Sequence, residues 1–121
     1  VQAPDFVLVN LGTNDLNGVR DGSITEGNWK MADLLDAIHA EWPSALVYVA
    51  RVIRTDFATE QTALNDTWLT NVIASRSAWA FAGPDERVIL PGHLADTTHP
   101  DGGGYVLMAV GPGGWKRILG Y

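Results

Sequence analysis

The sequence has 121 residues, of which 46% are hydrophobic and 18% are charged, and it contains no cysteine. This length supports a single domain over residues 1–121, and the lack of cysteine excludes a disulfide framework and a thiolate metal site. Fourteen acidic against eight basic residues give a net charge of -6, which argues against nucleic acid as a partner. No apolar run approaches the roughly 20 residues of a membrane-spanning helix, so no membrane span is expected.

The first half of the chain predicts two buried strands with an amphipathic helix between them. The run DFVLVNLG (5–12) is almost entirely apolar, which is typical of a strand covered on both faces. SITE (23–26) has the form of a capping box, and apolar residues then recur at helical spacing, at Met31, Leu34, Leu35, Ile38 and Trp42. Pro43 ends this helix, and ALVYVARVI (45–53) is the second strand.

The second half predicts a helix, a short strand and a last helix. The helix carries Leu64, Trp68, Val72 and Ile73, and RVILPG (87–92) is the third strand. Pro100 suits the first turn of a helix that runs to about Val110, before the Gly-Pro-Gly-Gly run at 111–114. Strands that alternate with helices predict an α/β fold of three layers, with helices on both faces of a parallel sheet.

Polar residues follow the first and third predicted strands. Asn14 and Asp15 follow the first, and His93, Asp96 and His99 follow the third. In parallel α/β sheets, ligands bind outside the carboxyl ends of the strands. The two groups are therefore expected to lie on one rim, although about 80 residues separate them in the sequence.

Each group has a catalytic and a purely structural interpretation. The spacing of Asp96 and His99 suits an acid that orients an imidazole base, and it equally suits an Asp that caps the last helix beside a surface His. The Asn14 side-chain amide can donate to an oxyanion, but GTND is also favourable turn chemistry. His93, Asp96 and His99 also form the pattern H-x-x-D-x-x-H, which could supply metal ligands, although it crosses a loop rather than one helix face.

Together, the two motifs resemble a known family. GTND (12–15) directly after an apolar strand, and DTTHP (96–100) before a GY-containing helix, resemble the third and fifth sequence blocks of the SGNH hydrolases, also called the GDSL family of serine esterases and lipases. The resemblance covers essentially the whole chain in element order. It implies a parallel sheet of the flavodoxin-like SGNH type and hydrolysis of small or acetylated carboxylic esters through an acyl-serine intermediate.

The resemblance also implies roles for individual residues. His99 would be the general base, Asp96 its orienting acid and Asn14 an oxyanion-hole donor. Gly12 would be the small residue of the third block, and Asp15 would support the same rim. No cofactor and no metal are implied, and the partner would be a small-molecule ester. The cellular location stays open, with a slight preference for a secreted or periplasmic protein.

The nucleophile of that family has no counterpart in this sequence. Neither a GDS block nor the second-block glycine is found, and none of the serines follows a strand on a tight turn at the rim: Ser23, Ser44, Ser75 and Ser77. We therefore expect residues 1–121 to be the carboxyl-terminal part of a hydrolase domain that lacks the first β-α-β-α portion. A second polypeptide or another copy would then complete the sheet beside the strand at 5–12, because an uncovered apolar strand promotes association.

A different class of function also fits these features. The chain can be a non-catalytic α/β binding or assembly module, or an inactive fragment, that keeps the scaffold without the serine. Trp42 and Trp68 match the core-facing sides of their helices and are expected to pack rather than stack on a substrate.

Overall fold

The computed structural model describes residues 2–121. The strands are β1 (Phe6–Val9), β2 (Leu46–Arg51) and β3 (Ala80–Asp85). The helices are α1 (Asp15–Asp21), α2 (Met31–Glu41), α3 (Ala58–Thr62), α4 (Leu69–Ala74), α5 (Glu86–Ile89), α6 (Gly102–Val110) and α7 (Trp115–Ile118), and a π-helical segment (Ala63–Trp68) joins α3 to α4. Within these residues, no helix has the length and apolar character needed to cross a membrane.

The strands form one open sheet in the order β1-β2-β3, and both neighbouring pairs are parallel. Helices α1 and α2 connect β1 to β2, and α3 and α4 connect β2 to β3, as parallel pairing requires. The predicted α/β fold with a parallel sheet is therefore confirmed at this level. In the described part of the chain, β1 is an edge strand with a partner on one side only.

One face of the sheet carries the main core. The register pairs Val7 with Val47 and Val9 with Val49, which puts these four side chains on the same face. They pack against helices α1 to α4 in a cluster that also contains Leu16, Met31, Leu35, Leu64 and Leu69. Full burial of a side chain of this size contributes about 1.5–3 kcal/mol, so this face supplies most of the stabilisation.

The opposite face is only partly covered. Phe6, Tyr48 and Phe81 form a half-buried aromatic row, with ring centroids 6.1 and 5.3 Å apart, and Leu8 beside them is 45% exposed. Trp115 of α7 covers one end of this face, where its indole lies against Gly83 of β3. The expectation that the first strand is covered on both faces is therefore met on one face and not on the other.

The third strand lies earlier in the chain than predicted. It spans Ala80–Asp85, and the predicted strand at 87–92 is wrong because its first residues form α5. The Asp85 carboxylate accepts a hydrogen bond from the backbone N–H of Arg87 at 3.0 Å and caps this helix, which leaves Val88 77% exposed. The β3 sequence is poor in strand-forming residues, so its pairing with β2 outweighs local propensity.

The predicted capping box at 23–26 is also wrong. Helix α2 begins at Met31, and the N–H of Ser23 instead donates to the Asp21 carboxylate at 2.8 Å, in the turn that follows α1. Helix α1 lies between the first strand and the predicted capping box, in a stretch for which no helix was predicted. It forms because Leu16 is completely buried and because Gly22, at φ 82°, ends it in the left-handed conformation.

The last predicted helix is present as α6 and ends at Val110 as expected, but it begins at Gly102, so Pro100 precedes the helix and does not stand in its first turn. Its amino-terminal cap is Asp101, whose carboxylate accepts a hydrogen bond from the N–H of Gly104 at 2.8 Å. Beyond the Gly-Pro-Gly-Gly run, residues 115–121 contain one further helical turn, α7.

Candidate active site

The loop between α5 and α6 holds Asp96 and His99 in direct contact. The His99 Nδ1 atom lies 2.7 Å from Asp96 Oδ2, and Asp96 Oδ1 accepts hydrogen bonds from the backbone N–H groups of Thr98 and His99, both at 2.7 Å. The N–H of Ala95 donates to the His99 carbonyl at 2.8 Å and closes the loop. The alternative that Asp96 caps the last helix is wrong, because Asp101 fills that role.

These hydrogen bonds favour the ionised form of Asp96. The backbone N–H of His99, then the His99 ring and the N–H of Thr98, lower the pKa of the carboxyl from 3.8 to about 2. An ionised carboxylate only accepts hydrogen bonds, so Nδ1 of a neutral His99 carries the proton. The Nε2 lone pair is then free to accept a proton, which is the arrangement that a general base requires.

The carboxyl of Asp96 should titrate at about pH 2, because its folded pKa lies below the ordinary 3.8. Its contribution to stability is therefore present above pH 3.8 and lost as the pH falls through about 2. Carbon-detected NMR of the Asp96 carboxyl measures this midpoint. In a His99→Ala variant the midpoint should rise only in part, because the backbone donors remain. A wild-type midpoint near 3.8 would contradict this geometry.

The turn after β1 presents Asn14 with a free side-chain amide. In the hydrogen-bond network of residues 2–121, this amide has no partner, so turn formation does not use it. Asp15 anchors the turn instead: its N–H donates to the Gly12 carbonyl at 3.0 Å, and its carboxylate accepts from the indole N–H of buried Trp29 at 2.9 Å. Asn14 is thus positioned by its neighbours and available to a ligand.

Gly12 gives this turn its shape. Its φ is 125°, a conformation that residues with a side chain rarely adopt. A Gly12→Ala variant should therefore lose about 1–3 kcal/mol of unfolding free energy, although the added Cβ would meet only ordinary contacts, the nearest at 3.7 Å. Gly102→Ala is the matched control, because Gly102 has open space around it and no left-handed φ. Equal stability of the two variants in urea denaturation would refute the assigned strain.

The two motifs line one cleft of about 410 Å³. Thr13 and Asn14 from the turn after β1 face Thr98 and His99 from the loop before α6. Helix α6 contributes Tyr105 and Met108 to the apolar part of the wall, and α7 contributes Trp115. The structure thus brings Asn14 and His99 into one cleft, as the rule for the carboxyl ends of parallel strands predicts.

His93 does not join this cleft. Its Nδ1 atom faces the Asp101 carboxylate at 4.0 Å, on the amino-terminal side of α6, while Asp96 is engaged with His99. Across residues 2–121, no three His, Asp or Glu side chains converge as metal ligands would. The arrangement therefore gives no support to the metal alternative drawn from His93, Asp96 and His99.

Among residues 2–121, no serine lines the cleft. Ser44 precedes β2, and Ser75 and Ser77 precede β3. All three therefore lie towards the amino ends of the strands, whereas His99 lies at the carboxyl ends. Ser23 lies in the turn after α1. The residues in the lining that carry a hydroxyl group are Thr13, Thr98 and Tyr105.

A second cleft, of about 420 Å³, lies on the other side of the turn after β1. It shares Asn10, Thr13 and Asn14 with the first cleft, and its apolar wall is formed by Leu11, Trp29, Met31 and Leu34. Leu11 is 58% exposed. The two clefts thus flank the carboxyl end of β1, beside the edge where this strand has no partner.

Two residues of the first cleft were missed by sequence reasoning. Glu86 lies directly before the stretch at 87–92 that was wrongly assigned to a strand, and Asn10 was absorbed into the apolar run of the first strand. A signal was present for both, since Asn10 is the one polar residue between Phe6 and Leu11, and Glu86 follows a Pro-Asp pair that ends a short apolar segment.

The fold and the cleft define an open parallel α/β domain with an Asp–His pair and a free amide on one rim. No protein-family model matches the chain, and no curated protein or solved structure matches it significantly. The function must therefore be inferred from the residues and geometry of the cleft itself.

Proposed function

We propose that this chain supplies the base, its orienting acid and an oxyanion donor to an ester hydrolase of the SGNH type. The substrate class is small or acetylated carboxylic esters, cleaved through an acyl-serine intermediate. The observation that carries the proposal is the 2.7 Å contact between Asp96 and His99, because His99 lines the same cleft as Asn14 with its unpartnered amide. The resemblance of GTND and DTTHP to the family's blocks adds a second line of support.

Each group has one task in the reaction. His99 Nε2 takes the proton of a serine hydroxyl as the serine oxygen attacks the ester carbonyl. Asn14 donates to the oxyanion that forms, and His99 returns the proton to the leaving alcohol. Water then attacks the acyl-serine with the same proton transfers in the same order. Asp96 holds the imidazole in the required tautomer throughout.

The serine comes, in this proposal, from polypeptide outside residues 1–121. The unpartnered edge of β1 is the place where a serine-bearing strand would add to the sheet, since a strand there would end beside both clefts. The exposed Leu8 and the half-buried Phe6 on the adjacent face would be covered by the helices of the same segment. An edge of this kind favours strand addition because its backbone groups are unpaired.

The absence of serine from the cleft also favours a second candidate. A non-catalytic α/β module would keep the same clefts as a binding surface and need no nucleophile. Its hallmark would be ligand binding or assembly without ester turnover.

Hydrolysis of p-nitrophenyl acetate separates the two candidates. Residues 1–121 should be inactive alone, and activity should appear when the polypeptide encoded before residue 1 is included. An Asp96→Asn variant of the longer protein shows whether the activity depends on the Asp–His pair. It should lower kcat by about 10⁴, the effect of the corresponding change in a known triad. An inactive longer protein would refute the hydrolase and favour the module.

A further inference from the structure

Glu86 joins the carboxyl ends of all three strands. It is the first residue of α5, directly after β3, and it is only 6% exposed. Its Oε1 atom accepts a hydrogen bond from the side-chain amide of Asn10 at 2.9 Å, just beyond β1. Its Oε2 atom accepts from the backbone N–H of Ile53 at 3.0 Å, two residues beyond β2. One carboxylate therefore connects three elements that are distant in sequence.

A carboxylate in this place is costly. Burial raises the pKa of Glu86, and the negative charge of neighbouring Asp85 adds to the rise, while the bonds from Asn10 and Ile53 oppose it. An apolar side chain of similar volume would avoid the desolvation. Buried ionisable groups in clefts are candidates for a functional role, and Glu86 lines the same cleft as Asn14 and His99.

The bond to Asn10 is the part of this arrangement that reaches the proposed site. Asn10 stands two residues before Gly12, whose left-handed φ starts the turn that carries Asn14. Asn10 is itself exposed, so packing does not fix its side chain. The hydrogen bond to Glu86, 76 residues away in sequence, fixes it instead.

We propose that Glu86 is a positioning residue: by accepting from Asn10, it fixes the exit of β1 and keeps the turn at 12–14 oriented so that the Asn14 amide faces the cleft. The inference rests on the proposed function for the catalytic meaning of Asn14. The mechanical coupling from Glu86 to the turn is independent of any activity.

NMR titration of residues 1–121 tests the coupling directly. In the wild type, the backbone amides of Thr13 and Asn14 should shift with the same midpoint as the Glu86 carboxyl. Glu86→Gln should abolish that shift, and Asn10→Ala should abolish it while raising the Glu86 midpoint, because a bond that favours the ionised form is lost. Asn71→Ala is the matched control, since it removes an Asn–Glu side-chain bond of the same kind, to Glu26 at 2.7 Å. This control should change neither the shift of the Thr13 and Asn14 amides nor the Glu86 midpoint.

The same variants distinguish amide shifts that Glu86 causes from shifts that neighbouring titratable groups cause. Asp85 adjoins Glu86 in the chain, and His99 and Tyr105 line the same cleft. Shifts that His99 causes should survive in Glu86→Gln, whereas shifts that Glu86 causes should not. The proposal would be overturned if the Thr13 and Asn14 amides did not shift with the Glu86 titration. It would also be overturned if they still shifted with it in Asn10→Ala.

The completed enzyme gives the second readout. Asn10→Ala should lower kcat about tenfold with KM unchanged, as the loss of one positioning hydrogen bond would, and Asn71→Ala should match the wild type. An unchanged kcat in Asn10→Ala would overturn the positioning role. Should the longer protein prove inactive while the turn amides follow Glu86, the hydrolase fails and the coupling stands.

Discussion

Replacement of His99 by alanine should lower kcat of the completed hydrolase by at least about 10³, because the serine hydroxyl loses its base. The fold should survive, since the His99 side chain is 70% exposed and the Asp96 carboxylate keeps its two backbone donors. The matched control is His93→Ala, a second histidine in the same loop that faces Asp101 outside the cleft. It should retain wild-type activity.

Hydrolysis rates of the two histidine variants, measured at equal concentrations of folded protein, decide this point. Equal activity of His99→Ala and the wild type would remove His99 from the mechanism. Equal loss in both variants would show that the loop, rather than one imidazole, is required.

Removal of the Asn14 amide should also lower the rate strongly, although less than the loss of His99. Asn14→Ala is expected to lower kcat by about 10² to 10³, the cost found when one oxyanion donor is deleted from a hydrolase. KM should change little, because the bond strengthens only as charge develops on the carbonyl oxygen. Stability should also change little, because the amide has no partner within residues 2–121.

Asn71→Ala controls for general effects of the substitution, because Asn71 is an exposed asparagine on α4 that lines neither cleft. Steady-state kinetics on a small ester measures both parameters for each variant. A rise in KM at constant kcat would assign Asn14 to ground-state binding, and an unchanged kcat would remove it from the oxyanion hole.

The unpartnered edge of β1 bears on the state of the protein in solution. Exposed Leu8 and Leu11 lie along this edge, and the neighbouring face keeps Phe6 only half-buried. Exposed strands with apolar neighbours associate readily. Association of residues 1–121 with a second polypeptide or another copy accordingly remains a prediction, which sedimentation of the isolated chain would test.

The first two strands could be predicted because short apolar runs that are rich in β-branched residues and bounded by turn signals favour buried strands over helices. The third could not, because its Ala-Phe-Ala-Gly-Pro sequence has weak strand propensity. Parallel pairing with β2 and the contact between Tyr48 and Phe81 determine it. The neighbouring Val88 and Ile89 looked more strand-like, yet the Asp85 cap turns them into a helix.

The candidate site, like the sheet, was only partly predictable from the sequence. The spacing of Asp96 and His99 was readable because their contact is local, and the position of Asn14 followed from the rule for the ends of parallel strands. The bond between Asn10 and Glu86 was not readable, because it joins residues 76 apart and depends on where β3 ends. A wrongly placed third strand conceals such a contact.

Intact-mass spectrometry after treatment with a serine-reactive fluorophosphonate is the most direct test of whether this chain serves a nucleophile outside itself. The sample is the protein extended by the polypeptide encoded before residue 1, compared with its His99→Ala variant and with residues 1–121 alone. A single adduct on a serine outside residues 1–121, lost in His99→Ala and absent from the isolated chain, is the predicted result. An adduct on residues 1–121 themselves, or no adduct on the extended protein, would contradict it.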